Sequence, residues 1–355
     1  MTTSPILDGP VPSTTTDALT ADHAAWDRAA LRLGGHLLQS WRWGEFKSRH
    51  GWTAHRVAVE ESGAKSLAQL LFRKRGPVSL AYLPRGPVFA DGDAAGVRRL
   101  FQDVDVACRQ RYAVHLLVET DRPLPFAGSS KAEGFVRGGG HFQPGRTVKI
   151  PLLSDQELLA QMHQKTRYSV RLAERRGVVF EQRAADDASI DQFYRLLLDT
   201  SDRNEFGIHS RDYYADFLRT FRDDALLLFA SVAGEPAAAL IAARFGAEAI
   251  YMYGASSTEH RGHGAAFALQ FEAMRWARER GSATYDLWGI PMEDPESPAV
   301  EADRVAGTKG DDWRGLYKFK IGFGGTIVEY PSTLERRYHP VLSFAARRLY
   351  ANHGV

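Results

Sequence analysis

A chain of 355 residues is longer than one ordinary core organises and accommodates two domains, and 44% hydrophobic with 25% charged residues is a globular balance that excludes a disordered or fibrous protein. The net charge of +2 gives too weak a field to hold a polyanion, so any nucleic-acid contact has to come from local clusters of Lys and Arg. A lone cysteine, Cys108, excludes an intrachain disulfide and a cysteine-based zinc site, and no run approaches the roughly 20 apolar residues of a membrane span or shows a signal pattern, so a cytoplasmic location is expected.

The Thr- and Ser-rich opening, residues 1–20, reads as a disordered tail. His55 to Val59 then alternates as a strand, Glu61-Ser62-Gly63-Ala64 turns the chain, and Leu67 to Phe72 returns as the second arm of a hairpin. Val78 to Tyr82 is a third strand. Ala94 to Tyr112 has helical period through Val97, Leu100, Phe101, Val104, Ala107 and Cys108, and Val114 to Val118 is a fourth strand. A capping box at Ser154 and Glu157 opens a helix through Leu158, Leu159 and Met162 that Gly177 closes after Arg175 and Arg176. Ile190 to Thr200 predicts another, with Phe193, Leu196 and Leu197 inward. The first order of signals now recurs: strands Ala225 to Val232, Ala237 to Phe245 and Ala249 to Tyr253, a helix from Ala265 to Arg280, and a strand from Thr284 to Leu287. The basic segment after Tyr330 is too short for a domain.

A strand meander followed by a helix crossing to a further strand is the layout of acetyltransferase-like (GNAT) folds. Its repetition predicts an α/β (α+β) chain of two tandem GNAT-like acyltransferase domains with mixed, mostly antiparallel sheets.

Six segments carry a more specific resemblance. They are Gln39-Ser40-Trp41 with Trp43-Gly44-Glu45-Phe46-Lys47 and Gly51-Trp52; Tyr82-Leu83-Pro84-Arg85-Gly86-Pro87; Lys165-Thr166-Arg167-Tyr168 leading to Arg171 and Ala173; Tyr251 to Ser256; Tyr285-Asp286-Leu287-Trp288-Gly289; and Gly315 to Gly324. In this order they resemble the FemABX family of peptidoglycan-bridge aminoacyltransferases, in the compact type without a coiled-coil arm, since no sustained heptads occur. The resemblance implies an aminoacyl-tRNA donor, lipid II or UDP-MurNAc-pentapeptide as acceptor, and no cofactor. It also implies that the last residues return to the first domain, giving domains of 21–150 plus 331–355 and of 151–330. A monomer is expected, with peripheral membrane contact through Arg336, Arg337, Arg347 and Arg348 if the acceptor is lipid-linked.

Aminoacyl transfer needs substrate positioning, removal of a proton from the attacking ammonium and stabilisation of an oxyanion, none of which requires a metal. Lys320, with Phe319 beside it, matches the family's Phe-Lys position and is the first candidate for the charge that meets the oxyanion or the 3′-terminal phosphate; a glycine-closed strand or turn is expected there. Trp43, Lys47 and Arg85 are candidate acceptor-binding residues, Lys47 for the diphosphate or else as a surface lysine at a helix end. Arg211 beside Tyr213 and Tyr214 is another diphosphate candidate, with Tyr214 a substrate-binding candidate that orients the peptide or sugar, or else a helix N-terminal arginine beside core aromatics, and Arg203 competes with it. Tyr253, ending the third strand of the second repeat, faces the acyl donor or is a buried strand tyrosine. Lys165, Arg167, Arg171 and Arg175 form a basic helix face suited to a tRNA backbone or simply to solvent. Arg261 and Gly264 fit the Arg-x-x-Gly-x-Ala loop with which CoA-dependent GNAT enzymes cradle a pyrophosphate. That loop keeps open an acyl-CoA-dependent GNAT N-acyltransferase; a non-catalytic module that binds precursor or tRNA is the third reading.

Overall fold

A computed structural model describes residues 14–61, 63–126, 131–139, 141–204, 207–295, 314–339 and 342–343. The first part of the tail, the turn residue Ser62, most of the acidic loop before Arg314, Phe344, Arg347 and Arg348 lie outside the described residues. The chain divides into two compact units, with boundaries at Arg137/Gly138 and Thr333/Leu334.

Unit 1 begins with helices α1 (Thr14–Ala21), α2 (His23–Arg32) and α3 (Trp41–Ser48), so the expected disordered tail gives way to helix at Thr14. Strands β1 (Thr53–Glu61), β2 (Ala64–Arg75), β3 (Val78–Pro84) and the short β4 (Val88–Phe89) follow, then α4 (Ala94–Gln110), β5 (Ala113–Glu119) and β6 (Val136–Arg137). β1, β2 and β3 pair antiparallel, and α4 carries the chain over to β5, which lies parallel to β3. Helix α4 forms because apolar residues recur every three to four positions: Val97, Leu100, Phe101, Val104, Ala107 and Cys108 are all buried. Asp93 caps it, its carboxylate accepting from the Gly96 amide at 2.8 Å. Burial pushes the Cys108 thiol up to about 12, as befits a core residue rather than a nucleophile.

Unit 2 opens with β7 (Arg146–Pro151), which pairs antiparallel with strands of its own unit, so residues 138–150 fall there and not with unit 1. Helices α5 (Asp155–Gln161) and α6 (Gln164–Arg175), strand β8 (Val179–Gln182), α7 (Asp187–Asn204) and α8 (Arg211–Phe221) lead to β9 (Ala225–Val232), β10 (Glu235–Phe245) and β11 (Glu248–Ser256). Then come α9 (Ala265–Glu279), β12 (Thr284–Ile290), α10 (Arg314–Ile321) and β13 (Thr326–Glu329). The sheet order is β13-β7-β12-β11-β10-β9-β8, with β9, β10 and β11 antiparallel and β12 parallel to β11. The meander, helix and parallel strand of unit 1 are thus repeated. The last strand, β14 (Leu334–Arg337), returns to unit 1 between β5 and β6. There Arg336 pairs with Asp105 at 2.6 Å and stacks 4.1 Å from the Phe135 ring centre, so this arginine is committed to the unit's interior rather than to a membrane.

The single helix expected from Ser154 to Gly177 is two. The capping box at Ser154 and Glu157 forms, but at Met162 the backbone turns extended and His163 starts α6, its ring accepting from the Lys165 amide while its own amide donates to Gly322 O. The guanidinium of Arg167 reaches back to donate to the carbonyls of Leu159, Ala160 and Met162, closing the end of α5. Among the described residues no helix is long and apolar enough to cross a membrane.

Candidate functional site

The two parallel strand pairs differ in how far they stay paired. In unit 1, β3 and β5 stay paired to Pro84 opposite Glu119. In unit 2, β11 and β12 are in register only from Glu248 opposite Thr284 to Ile250 opposite Asp286, and both strands then bulge. On β11 the register with β10 skips Met252; on β12 it slips between Asp286 and Gly289, where Trp288 adopts a left-handed φ of 58°. A bulge aims side chains and carbonyls out of the ladder and ends the pairing, and a non-glycine residue held at positive φ persists only where its surroundings enforce it. A wedge opens between the two strands.

Lys320 occupies this wedge. It belongs to helix α10 and not to the strand or turn expected from its glycines, because the aromatic residues around it recur with helical spacing: Phe319 packs on Phe267 (4.9 Å between ring centres) and on Phe323 (5.3 Å). The glycines that follow, Gly324 and Gly325, take positive φ and lead into β13. Lys320 is 5% exposed, its Nζ donates to Gly289 O on β12 at 2.7 Å, and it stands 5.6 Å over the ring of Tyr251 on β11. Burial draws its pKa down to about 8, while the charge of Asp286 acts in the opposite direction. At neutral pH most of the population therefore remains an ammonium, in a setting that gives it little water. A Cβ at Gly254 would meet the Tyr251 hydroxyl, so any side chain there would push this ring aside.

The strand runs on to Ser256, past the end expected at Tyr253, and Tyr253 enters an aromatic cluster. Its ring lies edge-on to Tyr214 at 5.0 Å, Phe217 at 5.7 Å and Tyr213 at 6.4 Å, and burial raises its phenol well above the ordinary value. Tyr214 is buried and its hydroxyl accepts from the His209 amide at 3.1 Å. Both tyrosines are therefore brought together, in packed rather than open surroundings.

The two arginine candidates are now separated. Arg211 begins α8 and is held by Asp187 at 3.1 Å, Asp191 at 2.5 Å and Asp212 at 3.4 Å; the hydrogen bonds and charges of Asp191 and Asp187 raise its pKa, and an incoming diphosphate would have to displace carboxylates. Arg203 instead donates to Ser256 O at 3.1 Å and Thr258 Oγ1 at 2.8 Å at the end of β11, and burial together with the nearby charge of Arg261 lowers its pKa. Two guanidiniums close enough to repel are a setting that an anion relieves. Arg261 opens the turn into α9, and Gly264 caps that helix with φ 74°, in contact with the Ser169 carbonyl of α6, which leaves no room for a Cβ. Arg176 ties the same two elements by donating to Gly262 O at 2.7 Å.

Of the α6 cations, Lys165, Arg171 and Arg175 are exposed, with Arg175 5.3 Å from the Tyr168 ring centre. Arg167 leaves that face to close α5. In unit 1, Lys47 is not the surface lysine that its place near a helix end allows: it is 2% exposed, lies 5.7 Å from the Trp43 ring centre and 6.0 Å from that of Phe46, and burial, with the charge of Arg73, lowers its pKa to about 8. Arg85 is buried at φ 49° beside the strand end where the Tyr82 hydroxyl donates to Glu119. Trp43 and Lys47 come together. Tyr251, Asp286, Trp288 and Gly289 have no assigned role in the sequence, although they lie inside two of its six segments; a polar residue next to an aromatic–glycine pair near a strand end is the signal they carry.

These features define tandem GNAT-like units with an open strand wedge in the second. The acetyltransferase (GNAT) domain model matches residues 160–294 and the FemAB family model residues 20–123. With one model on each unit, the chain resembles the FemABX family. It is 26% identical to a lipid II:glycine glycyltransferase of Staphylococcus haemolyticus, over 81% of this chain and 88% of that protein, and 25% identical to that of Staphylococcus aureus, over 83% and 86%. Among solved structures it resembles FemX with a TM-score of 0.76 at 22% identity, covering 88% of this chain and 95% of that one. A tandem GNAT protein from the clavulanic acid pathway shares the fold with a TM-score of 0.50 at 14% identity, over 81% and 83%.

Proposed function

We propose that the protein is an aminoacyltransferase that moves an amino acid from aminoacyl-tRNA to the peptide-stem amine of lipid II or UDP-MurNAc-pentapeptide in interpeptide bridge synthesis. The observation that carries this reading is the Lys320 ammonium in the wedge of unit 2, together with relatives named lipid II:glycine glycyltransferases over most of their length. The acceptor amine attacks the ester carbonyl; a C–N bond forms, the ester C–O bond breaks, and the terminal ribose oxygen of the tRNA leaves with a proton. The ester is already activated, so what the protein supplies is placement and charge. A buried ammonium acts strongly on an oxyanion because little water competes with it. Lys320 stabilises the tetrahedral intermediate, and Phe319 fixes its helix. Arg203 and Arg261 take a phosphate of donor or acceptor, and Lys165, Arg171 and Arg175 follow the tRNA backbone. Lys47, Trp43 and Arg85 shape the acceptor-binding part of unit 1. The protein acts as a monomer, at the inner membrane face when the acceptor is lipid-linked.

The Arg261–Gly264 turn carries a second reading, an acyl-CoA donor. One experiment separates the two: purified protein is incubated with a charged-tRNA pool and precursor, or with acyl-CoA and the same precursor, and products are weighed by mass spectrometry. Ribonuclease-sensitive mass addition to the precursor is expected. No addition with any charged tRNA, together with acyl-CoA turnover, overturns the proposal.

A further inference from the structure

Asp286 is wholly buried, at 0% exposure, and four groups converge on it. Its Oδ1 accepts from the Trp288 amide at 2.6 Å and from the Thr147 hydroxyl, its Oδ2 accepts from the Tyr330 hydroxyl at 3.3 Å, and Lys149 Nζ stands 3.9 Å away. The Trp288 amide belongs to the residue at left-handed φ that forms the β12 bulge, and the carbonyl of the following residue, Gly289 O, receives the Lys320 Nζ. The carboxylate is thus linked by one continuous run of backbone to the atom that holds Lys320. The fixed charges around the wedge also balance in sign: Lys149 is paired with Glu248, and Lys320 faces Asp286. Burying a carboxylate is costly unless hydrogen bonds and an opposite charge compensate it, and a plain core strand would carry an apolar residue here.

We infer that Asp286 is a positioning residue for Lys320: it clamps the Trp288 amide so that the bulge presents Gly289 O to the lysine, and it is the counter-charge of the wedge. This rests on the proposed role of Lys320 in transfer. The other groups that face the pair are Tyr251 from β11, Tyr285 beside Asp286 on β12, Lys149 from β7, Glu248 from the start of β11, and Tyr330 after β13. Tyr251 and Tyr285 are held as neutral phenols by burial, so among these groups the charge that acts on Lys320 is that of Asp286.

The test reads the lysine itself. Protein labelled with 13C at lysine Cε is titrated by NMR, with the Lys320 signal assigned by its loss in Lys320→Gln. In Asp286→Asn, which keeps an oxygen for the Trp288 amide but removes the charge, the Lys320 midpoint is expected to fall by roughly one pH unit or more from about 8. Should Asp286→Asn fail to fold, as judged by circular dichroism, Lys149→Met replaces it; removing that cation leaves Asp286 less compensated, and the Lys320 midpoint is expected to rise. An unmoved midpoint in the folded variant overturns the inference. Transfer is measured on the same samples: parent protein that shows no transfer sinks the function but leaves this titration decisive, whereas parent protein that transfers with a midpoint indifferent to Asp286 sinks only the role of Asp286.

Discussion

Replacing Lys320 by methionine is expected to stabilise the fold while abolishing transfer, because the buried ammonium is held against the preference of its surroundings. Its pKa falls from 10.5 to about 8 on folding, and at about 1.4 kcal/mol per pH unit this is a penalty of roughly 3 kcal/mol at neutral pH. Methionine fills a similar volume and carries no charge, but it leaves Gly289 O without the Nζ donor, a loss of about 1 kcal/mol or somewhat more. A net gain of about 1–2 kcal/mol remains, or a rise in Tm of several degrees for a unit of this size, at about 2–4 °C per kcal/mol. The sign with pH is fixed by linkage. The unfolded lysine binds its proton up to 10.5 and the folded one only up to about 8, so the penalty is complete below 8 and is relieved as pH rises from 8 towards 10.5. Thermal denaturation of parent and Lys320→Met at pH 7 and at pH 9.5 measures both. The variant should melt higher at pH 7, and most of the gap should close at the higher pH. A variant that melts below the parent at pH 7, or by a margin unchanged with pH, refutes the reasoning. Transfer by the parent protein should correspondingly decline as pH rises through about 8, where the ammonium is lost.

Four further outcomes follow from the geometry. Gly264→Ala should cost at least about 2 kcal/mol in denaturant unfolding, because the residue sits at φ 74° with the Ser169 carbonyl against it; a change below about 0.5 kcal/mol would show that α6 yields. Among the α6 arginines, Arg171→Ala and Arg175→Ala should weaken tRNA binding and lower the slope of log affinity against log salt by about 1 each, measured by filter binding. Arg167→Ala should instead lower stability by roughly 1–3 kcal/mol with that slope unchanged, since its guanidinium is spent on three carbonyls of the α5 end. Arg203→Ala should raise the KM for a phosphate-bearing substrate at least tenfold, read from initial rates, and Arg211→Ala by clearly less, since its carboxylate partners already occupy it.

The sequence by itself determined the repeated β-β-β-α-β order, since strand alternation, the α4 and α9 stripes and the glycine-marked turns are local signals that neighbours a few residues away can enforce. It also placed the capping box at Ser154 and Glu157, whose partners are three residues apart. The break at Met162–His163 needed Gly322 and the Arg167 guanidinium, which only the folded chain brings there. For α10, the glycines after Lys320 suggested a strand or turn, but aromatic packing against Phe267 favoured a helix. The fate of each cation was likewise a tertiary matter. Arg167, Arg171 and Arg175 look alike along the chain, and burial and partners alone made the first an internal cap and left the other two in solvent. The wedge is the clearest case: β3–β5 and β11–β12 read as equivalent strand pairs, and only cross-strand register, set by bulges at Met252 and Trp288 and clamped through the buried Asp286, opens one of them and seats Lys320 in it.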